Sequence, residues 1–316
     1  MSDLDAAVAI LQRGGLVAFP TETVYGLGAD AASERALARL YEVKHRPRDH
    51  PVIVHIADAA RLDTVAVDVA PAARRLAEEC WPGPLTLIVA RRDGAIHPAV
   101  TGGRPTVGVR VPDHPTAKAL LGAFGRGVAA PSANRFGRVS PTTAAHVRAD
   151  LGADVDLVLD GGACRVGVES TIVDCTDAAA PRVLRAGGIG LERIADIIGA
   201  EPVLCDSGQI AAPGTLPSHY APDATVVLAT ADELTATLER HSNARVAILA
   251  LAGVAIDVTG VTVLPQPHDV DEFARVLYAR LRHADAMGVE FIVVVSPPAG
   301  GIGDAIRDRL RRAAGR

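Results

Sequence analysis

Leu16-Val17-Ala18-Phe19-Pro20-Thr21-Glu22-Thr23-Val24-Tyr25-Gly26-Leu27-Gly28 decides the fold together with two later segments, Lys44-His45-Arg46-Pro47-Arg48-Asp49-His50-Pro51 and Val52-Ile53-Val54-His55-Ile56. The apolar run 16–19 reads as a buried strand that Pro20 ends. A second buried strand is expected over 52–56. Between them Ser33 can cap a helix whose Leu37, Leu40 and Tyr41 fall at i, i+3 and i+4. Hydroxyls and glycines then follow the first strand, and cations close the helix. That is where open α/β sheets bind ligands. Lys44 alone could complement the helix dipole. Arg46 and Arg48 beside it could not, and three cations within five residues repel unless an anion such as a phosphate settles among them.

Outward from this stretch, Ser2 and Asp3 can cap a first helix. A helix over 69–80 is closed by Trp81-Pro82-Gly83-Pro84, and a strand follows at 85–89. Thr106-Val107-Gly108-Val109-Arg110-Val111 alternates, so with the valines in the core Arg110 faces solvent or a cleft. The small-residue strand 127–130 ends at Pro131-Ser132-Ala133-Asn134, where a ligand can approach the backbone closely. Ser140-Pro141 reads as a helix start, with cap and N1 proline. Strands at 157–159, 171–174 and 182–184 have Glu169-Ser170-Thr171 and Arg185-Ala186-Gly187-Gly188 at their ends, and a helix covers 191–198.

From 201 to 222 no period survives, and the proline-rich 212–222 reads as a linker containing an unexpected His219-Tyr220 pair. Strands at 225–228, 246–251, 261–264 and 291–295 then alternate with helices at 231–241, 271–287 and 303–313, which implies a small doubly wound parallel sheet. Arg307, Arg309, Arg311 and Arg312, interspersed with Asp304 and Asp308, read as a solvated helix face.

A length of 316 residues allows two domains, and 49% hydrophobic with 22% charged residues is ordinary for a soluble globular protein. Aromatics at 3% leave the core to Ala, Val, Leu and Ile. A net charge of -5 argues against non-specific nucleic-acid binding as the main business, while a local basic groove stays compatible with it. Lysine occurs only at Lys44 and Lys118, and only Lys44 sits in the cationic turn. Cys80, Cys164, Cys175 and Cys205 show no CxxC spacing, so neither zinc nor a redox pair is expected. No secretory signal is visible, and the longest apolar run, 246–256, falls short of a spanning helix. A cytoplasmic protein without membrane partners is expected.

Ala18 to Gly28, the Lys44-x-Arg46 turn, Pro131 to Asn134 and Val168-Glu169-Ser170-Thr171-Ile172, in this order, resemble the YrdC-like threonylcarbamoyl-AMP synthase family. His219-Tyr220-Ala221-Pro222 followed by a Rossmann-like module resembles its long two-domain form. The resemblance implies an α/β fold: a YrdC-like open twisted mixed sheet with a deep cationic cleft over 1–205. A linker over 206–222 would act as active-site lid, and 223–316 would form a smaller Rossmann-like doubly wound domain. It implies a nucleotidyltransferase that makes L-threonylcarbamoyladenylate and pyrophosphate from L-threonine, bicarbonate and ATP. The product would pass to the tRNA threonylcarbamoyl-transferase machinery, for N6-threonylcarbamoylation of adenosine 37 in tRNAs reading ANN codons.

By motif, Thr23, His55, Arg110, Ala130 and Ser170 would line the threonine pocket. Lys44, Arg46, His50, Thr106, Ser132, Asn134, Ser140, Arg185 and Tyr220 would hold ATP. Lys44 and Arg46 would stabilise charge during the reaction, with no covalent nucleophile, and Mg²⁺ would be held mainly by the ATP phosphates. Two positions depart from the family: Asp49 stands where Asn is usual, and Pro217-Ser218 where a basic residue often precedes His-Tyr-Ala-Pro. Carbamoyl transfer through a carbamoyl-adenylate is a rival, but the acylphosphatase-like domain and paired CxxC fingers that accompany it are absent. An RNA-binding or ribosome-maturation module is another, opposed by the acidic pI and the lack of aromatic platforms. A transient tRNA contact is compatible with either reading.

Overall fold

The computed structural model describes residues 2–204 and 220–315. The expected lid over 206–222, with Pro217, Ser218 and His219, lies outside the described residues apart from Tyr220, Ala221 and Pro222. The first unit is a mixed sheet of β1 (Val17–Phe19), β2 (Gly26–Asp30), β3 (Val54–His55), β4 (Leu85–Ala90), β5 (Thr106–Arg110), β6 (Val128–Ala129), β7 (Leu157–Val158), β8 (Thr171–Asp174), β9 (Arg182–Arg185) and β10 (Val203–Leu204). Its order is β10-β9-β8-β4-β5-β3-β6-β2-β1-β7. Around it lie α1 (Asp3–Gln12), α2 (Glu34–Lys44), α3 (Leu62–Val65), α4 (Pro71–Cys80), α5 (Pro115–Phe124), α6 (Ala144–Leu151) and α7 (Leu191–Ile198).

Ser33 caps α2 as the sequence implies, its hydroxyl accepting from the Ala36 amide. Strand β2 is a finding that the reading of 20–28 as a loop did not contain. It returns antiparallel to β1, pairing Val17 with Gly28 and Phe19 with Gly26. Glycine is a poor strand former, yet a Cβ on Gly28 would sit 2.9 Å from the Phe19 ring. The glycine makes room for that ring. The expected strand over 52–56 shortens to β3, and the β10 pair in the aperiodic segment was not expected at all.

The expected helix start at Ser140-Pro141 is wrong. Helix α6 begins at Ala144, capped by Thr143, whose hydroxyl accepts from the His146 amide at 3.2 Å. The preceding residues are held elsewhere: Ser140 Oγ donates to Glu169 Oε1 at 2.7 Å, and the Pro141 carbonyl accepts from the Tyr25 amide at 2.9 Å.

The second unit is a parallel sheet of β11 (Thr225–Ala229), β12 (Val246–Leu249), β13 (Thr262–Val263) and β14 (Phe291–Val295), ordered β11-β14-β12-β13. Helices α8 (Leu234–Arg240), α9 (Val270–Ala286) and α10 (Ile302–Ala314) accompany it. One apolar core joins Val24, Val139 and Val168 of the first unit to Phe273, Leu277, Tyr278 and Leu310 of the second. At this seam Gly167 has φ +84, and a Cβ on it would fall 2.4 Å from the Ala274 carbonyl oxygen. Only glycine permits that approach. Arg282 adds an ion pair with Asp150 at 2.6 Å. Among the described residues no helix is long and apolar enough to cross a membrane.

Candidate active site

A cavity of about 60 Å³ opens in the first unit, where β1, β3, β5, β6 and β9 end and β8 begins. Thr23, His55, Arg110 and Ala130 line one part of it, and Arg46, Ser132, Ser170 and Arg185 line the rest. Glu169 and Tyr220 complete the lining. Of the residues expected from the sequence, these nine apart from Glu169 are brought together.

After Pro20 the chain turns on a hydroxyl. Thr21 Oγ1 donates to the Val24 carbonyl at 2.6 Å and accepts from the amides of Thr23 and Val24, each at 3.2 Å. This fixes Thr23, fully buried, with its Oγ1 2.8 Å from Thr21 Oγ1. Arg110, at the end of β5, faces the cleft rather than solvent and forms an ion pair with Glu22 Oε1 at 2.7 Å. Its Nε donates to the Gly83 carbonyl at 3.2 Å. Glu22 is wholly buried and its Oε2 also accepts from the Asp113 amide at 3.0 Å. The role of Glu22 was not anticipated; the signal was an acid flanked by threonines in an otherwise apolar strand-end turn.

His55 ends β3 opposite Arg110. Burial, and then the Arg110 charge, push its imidazole down to about 3, so it is neutral at physiological pH. Its Nδ1 is buried without a hydrogen-bond partner in the protein. Because the folded value lies below the unfolded 6.5, the unfolded chain binds more protons here between pH 6.5 and about 3. The His55 contribution to stability is therefore complete above pH 6.5 and is lost as pH falls toward 3, at most roughly 5 kcal/mol. His55→Gln is expected to flatten the acid limb of stability against pH, measured by urea unfolding from pH 7 to 4. An unchanged slope would show that this imidazole does not titrate as described.

The crowded cations of the 44–48 turn diverge. His45 takes the left-handed conformation at φ 52 and turns the chain out of α2. Arg46 then enters the cavity, held by its Nη2 donating to the Pro51 carbonyl at 2.9 Å and by the Phe136 ring 5.3 Å away. Burial lowers its guanidinium to about 10, which leaves it charged at neutral pH. Arg48 and Asp49 are exposed, and the Asp49 carbonyl accepts from Arg104 Nη1 at 2.8 Å. Lys44 turns inward and is only 1% exposed. Its Nζ donates to the carbonyls of Ser132 and Asn134 behind the cavity wall. Burial, then Arg46, push its ammonium well below the ordinary value.

Opposite, Ser170 Oγ lies 2.8 Å from Thr86 Oγ1, and its carbonyl accepts from Arg185 Nε at 3.1 Å and Nη2 at 2.9 Å. Gly187 allows this approach, since a Cβ there would meet the Ser170 carbonyl carbon at 2.2 Å. Lys44, His50, Thr106, Asn134 and Ser140 lie outside the lining. His50 packs edge-on against Phe136 with ring centroids 5.5 Å apart. Asn134 Nδ2 donates to the carbonyls of Arg135 and Arg138 at 2.9 and 2.8 Å, bracing the turn that carries Ser132. Thr106 starts β5 while Arg110 ends it, a separation of roughly 13 Å.

Glu169, Tyr278 and Arg309 were not anticipated, and the expected solvated face of α10 is wrong at Arg309. That side chain is 1% exposed, and its Nε donates to Glu169 Oε2 at 2.7 Å. It falls in phase with Ile302, Ile306 and Ala313, so helical periodicity carried the signal that charge patterning hid.

Three guanidinium groups in one small cavity favour an anionic ligand. A second, more open hollow of about 590 Å³ lies at the carboxyl ends of β11, β12 and β14. It is larger, but its charged members already serve the fold: Glu233 accepts from the Thr230 amide at 3.0 Å and Arg307 Nη1 donates to the Pro297 carbonyl at 3.0 Å. The smaller cavity, lined by three guanidinium groups, is the candidate active site. Among the described residues no group of three His, Cys, Asp or Glu could hold a metal ion. The cavity carboxylate, Glu169, is committed to Ser140, Tyr278 and Arg309. These residues fit a metal ion brought in on a polyphosphate better than a resident one.

The profile of the family described as Telomere recombination (Sua5, YciO and YrdC) matches residues 9–187, and that of the threonylcarbamoyl-AMP synthase C-terminal domain matches 189–315. Threonylcarbamoyl-AMP synthase of Pyrococcus abyssi is 39% identical, the match covering 98% of this chain and 93% of that protein. The Bacillus subtilis enzyme of the same name is 40% identical over 98% of this chain and 92% of its own length. The crystal structure of P. abyssi Sua5 complexed with L-threonine superposes with a TM-score of 0.91 at 38% identity, covering 100% of this chain and 95% of that one. With both halves matched in order and the whole fold shared, the chain belongs to the Sua5/YciO/YrdC family, in its two-unit form with the threonylcarbamoyl-AMP synthase C-terminal domain.

Proposed function

We propose that this protein synthesises L-threonylcarbamoyladenylate from L-threonine, bicarbonate and ATP, releasing pyrophosphate. One observation carries the reading: a single cavity joins a corner formed by Thr23, His55 and Arg110 to one formed by Arg46, Ser132 and Arg185. Threonine and bicarbonate condense to a carbamate with loss of water. A carbamate oxygen then bonds to the α-phosphorus of ATP, the bond to the bridging oxygen breaks, and pyrophosphate leaves with those electrons. Bicarbonate, ATP and the carbamate are anionic and threonine brings a carboxylate, so the protein has to align them and offset their charge rather than supply a nucleophile.

Arg110 would pair with the threonine carboxylate through its planar fork while Glu22 fixes the orientation of that fork. Thr23, the neutral His55, Ala130 and Ser170 would shape the rest of the threonine corner. Arg46, Ser132 and Arg185 would face the phosphates, with Mg²⁺ carried on the triphosphate. Lys44 and Asn134 hold the Ser132 turn from behind, and His50, Thr106 and Ser140 would act from beyond the wall. A cavity of about 60 Å³ is below the usual size of ligand pockets. Tyr220 would therefore move to admit ATP and fold back over it, with the linker 206–222 as the lid between units at 1–205 and 223–316. The product would be passed on for N6-threonylcarbamoylation of tRNA.

Purified protein is expected to release pyrophosphate from ATP only when L-threonine and bicarbonate are both present. Release that ignores threonine, or none at all, would refute the assignment.

A further inference from the structure

Glu169 sits between Val168 and Ser170, lines the cavity and is 6% exposed. A buried carboxylate needs full compensation, and most of it comes from the other unit. Tyr278 Oη donates to Oε2 at 2.8 Å from α9, 109 residues away. Arg309 Nε donates to the same oxygen at 2.7 Å from α10, 140 residues away. Arg309 goes further: its Nη2 donates to the Ala186 carbonyl at 3.0 Å, next to Arg185. Its guanidinium also lies 5.1 Å from the centroid of the Tyr220 ring, and that ring stacks on Tyr278 with centroids 5.8 Å apart.

We propose that Arg309 is a positioning residue for the nucleotide half of the active site, so that the site is incomplete without the C-terminal unit. The proposal rests on the reaction given above. Arg309 acts in two ways. It anchors Ala186, and with it the backbone that presents Arg185. It also matches the charge of Glu169. Burial works against that carboxylate, yet Arg309 first and Arg185 second hold it below the usual range. With Arg309 gone, Arg185 is the stronger remaining cation acting on Glu169. The carboxylate then draws on the guanidinium that should face the phosphates. Arg110, which would take the threonine carboxylate, is matched by Glu22 and takes no part in this exchange.

The full-length Arg309→Met protein, titrated calorimetrically with ATP and separately with L-threonine, is expected to bind ATP at least tenfold more weakly and threonine within twofold of wild type. The Arg309→Met/Glu169→Gln protein, which has no uncompensated carboxylate, is expected to regain most of the lost ATP affinity. It also keeps the test alive if the single variant does not fold. Wild-type ATP affinity in the single variant, equal losses for both ligands, or a double variant no better than the single would each overturn the proposal. Wild-type protein that binds ATP but makes no threonine-dependent pyrophosphate overturns the reaction alone. Wild-type protein that does not bind ATP overturns both.

Discussion

Arg110→Ala is expected to lower stability by about 3–5 kcal/mol and to abolish threonine-dependent turnover. The first effect comes from Glu22. It is fully buried, and its Oε1 faces Arg110 at 2.7 Å, so removal of the guanidinium strands a carboxylate where water cannot reach it. Arg110→Met/Glu22→Gln separates the two effects. With both charges gone and the volume kept, stability should return to within about 1 kcal/mol of wild type, since replacing a buried pair outright is far cheaper than halving it. Threonine affinity should stay lost, because no fork remains to take its carboxylate. Urea unfolding and threonine titration of the two proteins provide the check. A double variant that binds threonine normally would remove Arg110 from the amino-acid site.

The second large effect is expected at Arg46. Arg46→Ala should reduce kcat/KM for pyrophosphate release by about 10²–10³, or roughly 3–4 kcal/mol of transition-state stabilisation, with stability changed by no more than about 1 kcal/mol. Lys44, two residues earlier, should behave differently. Lys44→Met leaves the half-buried Ser132 and the buried Asn134 carbonyls without this donor, at a cost of about 2 kcal/mol. Its activity loss should therefore arrive together with a lower melting temperature. Two variants with the same ratio of activity loss to stability loss would show that the turn does not divide its cations as described.

How much of this was legible in the chain depends on how local each signal is. Strand β1, helix α2 and β3 announce themselves through apolar period and a serine cap, and the resulting cation turn is contiguous, so both were readable. The alternation of β5 left Arg110 facing either solvent or a cleft, and the structure turns it to the cleft. The failures share one cause, a local cue overruled by a distant partner. Ser140-Pro141 has the form of a helix start, but the serine is taken by Glu169, 29 residues on. Gly26 and Gly28 weaken a strand on propensity, yet Phe19 needs the space that Gly28 leaves. Arg309 shares a charged helix with Arg307 and Arg311; its phase with Ile302, Ile306 and Ala313 marks the inward face, but the carboxylate that compensates its charge comes from the other unit. Acids such as Glu22 and Glu169 cannot be assigned from a cationic motif, because what makes them necessary is a guanidinium that arrives from elsewhere in the chain.

The strand order of the second sheet also constrains how the chain can be made. Strands β11 and β12 do not pair with each other; both lie against β14, which is synthesised after them. As the chain leaves the ribosome, Thr225–Ala229 waits with open edges until residues 291–295 have emerged, and Arg309 follows later still. A nascent chain halted before that point has neither the closed sheet nor the cation that compensates Glu169. Unpaired edges of this kind invite pairing with other chains, so a truncated product is expected to aggregate or be degraded rather than persist as a half-active enzyme.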